Sequence, residues 1–179
     1  IDARKPGDPM SDPTLATFNR SRWSGESFAL AVDYLYPHLD AGDKRLARKV
    51  FLRWAEELLA ATTTDYNHPS PRGALLDDAL FGDRKGRRYA LNNYYAAHAR
   101  NLALMALAFD AADDPDEPGT GRTYPSLGAY LKNVAGAWWF VADHVLEADA
   151  SGRISPEGPQ YGFQMLAYYA QLAWAARTA

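Results

Sequence analysis

Tyr89-Ala-Leu-Asn-Asn-Tyr-Tyr-Ala-Ala-His-Ala-Arg-Asn-Leu-Ala-Leu-Met-Ala-Leu-Ala-Phe109 decides how the rest of this chain is read. Beyond its first turn only His98, Arg100 and Asn101 interrupt a helix of Ala, Leu, Met and Phe, so nearly every side of it should be enclosed. Gln160 to Arg177 is a second helix of this kind, aromatic and rich in small residues throughout. The two segments between and before them are amphipathic. From Lys44 to Ala61, with Asp43 as the expected cap, Leu46, Val50, Trp54 and Leu58 recur every four residues. Arg48, Lys49, Arg53, Glu56 and Glu57 take the other faces. From Ser126 to Glu147, Leu131, Val134, Trp138, Val141 and Val145 form one stripe. A further helix, Ser27 to Tyr36, follows a capping Ser24-Gly-Glu and stops at Pro37.

The order is therefore buried, amphipathic, buried, amphipathic, buried. Antiparallel hairpins with one enclosed and one water-facing member are the product of an inner ring of helices surrounded by an outer one. The expected fold is all-α, with helical hairpins forming part of an incomplete α/α toroid. Residues 1–23, with their prolines, read as an irregular lead-in, and 24–179 as the helical-hairpin domain. The connection from Thr62 to Arg87 is long enough to be expected to carry function. Asp77-Asp78 and Asp113-Asp114 are expected to be solvated turn residues.

The net charge of -3, without a run of Lys or Arg, excludes the concentrated basic face that nucleic-acid binding needs. Polar residues break each apolar stretch before it reaches a membrane span. With no Cys, disulfides, thiolate metal sites and cysteine nucleophiles are excluded; the four His show no metal-ligand spacing, and no cofactor is called for. The opening at Ile1, without a basic and apolar leader ahead of Met10, reads as a mature or excised piece. The 5 Trp and 11 Tyr are a heavy aromatic load, suited to filling cores or to lining grooves that stack on sugars.

Two polar segments open the two enclosed helices: Leu91-Asn-Asn-Tyr-Tyr-Ala-Ala-His98 and Ser155-Pro-Glu-Gly-Pro-Gln-Tyr-Gly162. A helix start offers unsatisfied N–H groups and the positive end of the dipole, which suit anion binding and acid–base work. Tyr94, His98 and Asn101 share one helical face, with Asn93 beside it; Gln160, Gln164, Tyr168 and Gln171 form a second stripe. Such stripes are either a satisfied core network or the lining of a wet cavity. His98 is suited to proton transfer, Glu157 to a simple helix-start partner or a working carboxylate, and Tyr161 to a core aromatic or a cleft phenol.

The Asn92-Asn93-Tyr94 opening, followed about 65 residues on by Glu157-Gly-Pro-Gln-Tyr161, resembles the motifs of the heparinase II/III-like polysaccharide lyases. In that family an Asn-Asn-aromatic and a Glu-Gly-Pro-x-Tyr motif open inner helices of an incomplete toroid, and a β-sandwich follows. The resemblance implies β-elimination on an acidic, uronate-containing polysaccharide or oligosaccharide. Asn93 would then neutralise the carboxylate and Tyr161 move the proton, with His98 nearby, and with Tyr94, Glu157, Gln160, Gln164 and Asn92 as substrate-binding residues. It also implies a secreted or periplasmic location and further domains of the same protein. Arg20, Arg22, Arg87, Arg88 and Arg100 could contribute to binding an acidic glycan. The competing readings are a non-catalytic saccharide- or partner-binding helical module and an inverting glycoside hydrolase on the same ring. The hydrolase needs two carboxylates about 6.5–9.5 Å apart, for which Glu26, Glu157 and Asp33 are the candidates.

Overall fold

The computed structural model describes residues 20–60, 92–149 and 158–179. Within them the chain is all-α, in five helices. Helix α1 spans Arg20–Leu35 and ends in a 3-10 turn, Tyr36–His38, at Pro37. Helix α2 spans Ala41–Ala60 and α3 spans Asn93–Leu107. Helix α4 is continuous but not uniform: Leu127–Tyr130 is α-helical, Leu131–Ala135 a π-turn, and Gly136–Asp149 α-helical again. Helix α5 spans Gly158–Thr178.

Contacts at two levels fix the direction of each helix. Gly25 of α1 abuts Asn101 of α3, and further along Tyr36 meets Phe109 edge to face at 5.5 Å, so α1 and α3 run parallel. Phe28 packs on Trp54 at 6.0 Å while the Tyr36 ring receives Lys44 at 4.0 Å, so α2 runs back antiparallel to α1. Leu127 and Tyr130 share a core cluster with Phe109, and Val145 shares another with Tyr95, which makes α4 antiparallel to α3. Arg100 of α3 meets Tyr168 and Gln171 of α5. Met165 lies in the cluster that holds Tyr95 to Ala103, whereas Ala175 packs on the one holding Leu102, Leu104 and Met105. Helices α1, α3 and α5 are thus a parallel set, with α3 in the middle, and α2 and α4 return the chain between them.

Helix α3 is enclosed as its composition requires, with thirteen of its fifteen residues buried. Ala96, Ala97, Ala99 and Ala103 are fully covered, their small side chains letting neighbours approach closely. Trp54 and Trp138, at 0% and 1% exposure, are the packing residues that their stripes predict. Leu46, assigned to the same stripe as Trp54, is half exposed.

Four expectations are corrected. The first helix begins at Arg20, inside the stretch read as irregular, because Ser24-Gly25-Glu26 is interior helix: Gly25 is needed where α3 comes close, since a Cβ there would overlap the Asn101 side chain. Helices α1 and α5 are not enclosed. Tyr34 is 84% exposed and Phe163 74%, because α1 is covered by α3 and α2, and α5 by α3 and α4, while the remaining side of each meets none of the described elements. Asp113-Asp114 is a clasp, not a solvated turn. Asp114 accepts from Arg48 Nε at 2.8 Å and from the backbone N–H groups of Leu127 and Gly128 at 3.0 and 2.8 Å, tying α2 to the start of α4. Arg48, 6% exposed, also pairs with Glu117 at 2.9 Å. Asp113 accepts from Lys44 Nζ at 2.8 Å and Tyr36 Oη at 2.7 Å, and the hydrogen bond from Lys44 is the main reason its carboxyl is held below the usual range. The start of α2 is capped by Asp40 rather than Asp43: Asp40 Oδ1 accepts from the N–H groups of Gly42 and Asp43 at 2.6 and 2.8 Å.

Candidate functional site

The opening of α3 has a local physical cause. Asn92 is extended at φ -67 and ψ 132, and its Oδ1 accepts from Tyr94 N at 2.9 Å, satisfying one of the orphan N–H groups of the helix start. Asn92 is therefore a capping residue. Its replacement by Ala should cost about 1 kcal/mol of stability, checked by the urea midpoint; an unchanged midpoint would show that the cap is dispensable. Asn93 is the first helical residue and is 3% exposed, Tyr94 is half-buried, and Tyr95 is a core aromatic whose phenol is pushed far up by burial. His98, 5% exposed, lies one turn further in.

The opening of α5 is also partly explained by the backbone. Gly158 has φ 73, a conformation that costs other residues about 1–2 kcal/mol, and Pro159 follows in the first turn, where a missing N–H does no harm. Tyr161 is 47% exposed and Gln160 exposed; Gln164 is half-buried. The Gln164 side-chain oxygen is enclosed, without a hydrogen-bond partner among the described residues. Glu157 lies outside the described residues, as do His68, Asp77-Asp78 and the long connection from Thr62 to Arg87.

Because α3 and α5 run parallel with Arg100 level with Tyr168 and Gln171, their openings stand at the same end. Asn93 is seven residues before Arg100, and Tyr161 is seven before Tyr168. At about 1.5 Å of rise per residue the two positions are at nearly the same height. Access separates the candidates: Tyr161 reaches solvent, whereas Asn93 and His98 are enclosed.

One turn to two turns deeper, the polar stripes of both helices converge on an ionic knot that the sequence did not reveal as a unit. Arg100, 1% exposed, pairs through Nη1 with Glu26 Oε2 at 2.8 Å and donates to Gln171 Oε1 at 2.9 Å. Its Nη2 donates to Asn101 Oδ1 at 2.9 Å, and its guanidinium lies over the Tyr168 ring at 4.5 Å. Gln171 Nε2 closes the loop by donating to Glu26 Oε1. Burial pushes the Arg100 guanidinium below its usual value, and Glu26 chiefly opposes that shift. The one available signal was an Arg inside an all-apolar helix, which demands a counter-charge. Two roles considered for these residues follow differently: Arg100 is engaged rather than turned to a glycan, and Glu26, as its counter-ion, is ill placed as a hydrolase acid.

His38 and His144 are exposed, and no group of His, Asp and Glu suited to a metal occurs among the described residues. No described helix is long and apolar enough to cross a membrane. The chain matches no protein-family model, no curated protein and no solved structure.

Proposed function

We propose that this chain is the toroid portion of a polysaccharide lyase that acts on a uronate-containing glycan by β-elimination, with its site at the shared opening of α3 and α5. The observation that supports this reading most is the parallel packing of the two helices, which puts Asn93 and Tyr161 at one end and at one height. In the proposed reaction Tyr161, acting as a phenolate at the α5 opening, takes the proton from the carbon α to the uronate carboxylate, and the electron pair left behind forms the new C=C bond. The C4–O bond breaks, and the phenol so formed returns its proton to the departing oxygen. The amide of Asn93 and the positive end of α3 stabilise the enolate that develops on the carboxylate, and His98 supports them from the next turn.

An absorbance assay tests the reading, because elimination creates a double bond conjugated to the carboxylate and hydrolysis does not. The protein incubated with alginate, heparan, chondroitin or hyaluronan should generate near-ultraviolet absorbance on one of them. Tyr161→Phe should slow that reaction on the order of 10²-fold, the loss typical for a proton-transfer group. Reducing ends without new absorbance would identify a hydrolase. A second reading, a saccharide- or partner-binding module without catalysis, is favoured by exposed Phe163 and Trp174, at 74% and 70%; binding without turnover of any acidic glycan would establish it in place of the lyase.

A further inference from the structure

The apolar core falls into two clusters, and the division between them passes through α4. Leu127, Tyr130, Val134 and Ala137 pack with α2 and the later turns of α3, whereas Trp138, Val141 and Val145 pack with α5 and the earlier turns of α3. The π-turn Leu131–Ala135 lies at that boundary. Polar contacts follow the same division. Before the π-turn, Asp114 fastens the first N–H groups of α4 to Arg48 of α2, and Tyr130 Oη donates to Glu56. Beyond it, Trp139 stacks on Tyr169 of α5 at 4.4 Å, and Tyr169 Oη donates to Asp143 at 3.0 Å. The second half of α4 and α5 are thus joined to one another, and a π-turn is a place where a helix bends.

Against α3 this pair of helices sets Met165, Tyr168 and Leu172 on a surface of Ala96, Ala97, Ala99 and Ala103. Alanine lets helices approach closely but raises only low ridges, so the contact resists separation more than it resists sliding or tilting. The hydrogen bonds that Gln171 makes with Arg100 and Glu26 are directional and do resist such movement. We infer that Gln171 is a positioning residue: it latches the second half of α4 and α5, hinged at the π-turn, onto α1 and α3, and so fixes Tyr161 against Asn93. Tyr161 stands ten residues before Gln171, about 15 Å along α5, so a tilt of about 4° at the latch displaces it by about 1 Å. A displacement of that size costs a reaction on the order of 10²-fold. The consequence for Tyr161 rests on the lyase reading, whereas the latch itself does not.

Distance measurement between α1 and α5 tests it. The chain has no Cys, so Ala31→Cys on α1 and Ala167→Cys on α5, both at exposed positions, give a unique pair of sites for nitroxide labels. Pulsed electron paramagnetic resonance should show one narrow distance distribution for the labelled chain. Gln171→Met keeps the length of the side chain and removes its hydrogen bonds, and it should broaden or displace that distribution while circular dichroism shows full helicity. Gln171→Asn, which keeps the amide but is one methylene too short to meet both partners, should do the same. In the unlabelled chain, Gln171→Met should lower kcat on the responsive glycan on the order of 10²-fold and leave KM nearly unchanged. A distribution unchanged in both variants overturns the latch, whatever the chemistry of the site. A disturbed distribution with the kcat of the parent overturns the positioning role. A disturbed distribution in a chain whose parent generates no absorbance from any acidic glycan upholds the latch and overturns the lyase reading instead.

Discussion

Replacing Glu26 by Leu should cost about 3–5 kcal/mol of stability, more than its partly exposed position on α1 suggests. The reason lies with its partner. Arg100 is 1% exposed and keeps its proton, so removing Glu26 takes a paired carboxylate away from a buried cation and leaves the neutral Asn101, Gln171 and Tyr168 ring beside it. Removing Arg100 instead leaves the Glu26 side chain, 26% exposed, which water can reach. Arg100→Met should therefore be the milder of the two single changes, its stem volume being largely kept. The double variant Glu26→Leu with Arg100→Met removes both charges and should recover part of the loss, giving a coupling of about 0.5–3 kcal/mol in a double-mutant cycle. Urea midpoints of the four proteins measure it. A Glu26→Leu protein within about 0.5 kcal/mol of the parent would show that the knot does not hold α1, α3 and α5 together, and would remove the basis for their common register.

How much of this was legible in the sequence depends on the range over which each signal acts. Helix α3 was legible because a run of Ala and Leu with no polar face has one solution, burial. The roles of Trp54 and Trp138 followed from stripes within single helices. The Asn92 and Gly158 openings were visible as motifs, but the same residues have local duties, a cap and a left-handed turn, that any helix start can require. The residues at these openings therefore point to a function less strongly than their spacing does. What escaped were pairings between distant positions. Asp114 with Arg48 and Arg100 with Glu26 are separated by 66 and 74 positions, and nothing in a local pattern distinguishes a carboxylate that clasps from one that is solvated. Exposure of α1 and α5 escaped for a related reason: composition records how apolar a helix is, not whether a neighbour is there to cover it. The π-turn at Leu131–Ala135 lies within a regular apolar stripe and had no breaker residue to announce it.

Trp54 offers the second large effect and a sharper test of how the core is built. Its indole is fully enclosed between α1 and α3, edge-on to Phe28, within the cluster that includes Phe51, Leu102 and Met105. Truncation to Ala should cost about 3–5 kcal/mol, because the surrounding helices cannot collapse into the space left by a whole bicycle. Trp54→Phe is expected to behave differently. The indole N–H has no acceptor among the described residues, and an unmet buried donor costs about 1–3 kcal/mol in the parent. Phenylalanine removes that donor, keeps an aromatic edge against Phe28, and loses only part of the volume, so the relief and the cavity should nearly cancel. The expected pattern is a large drop in the urea midpoint for Trp54→Ala and a shift of less than about 1.5 kcal/mol for Trp54→Phe. A phenylalanine variant nearly as unstable as the alanine one would mean that the indole N–H is satisfied in solution and contributes to holding α2 against α1. A mild alanine variant would mean instead that this face of α2 is not the core that its four-residue stripe specifies.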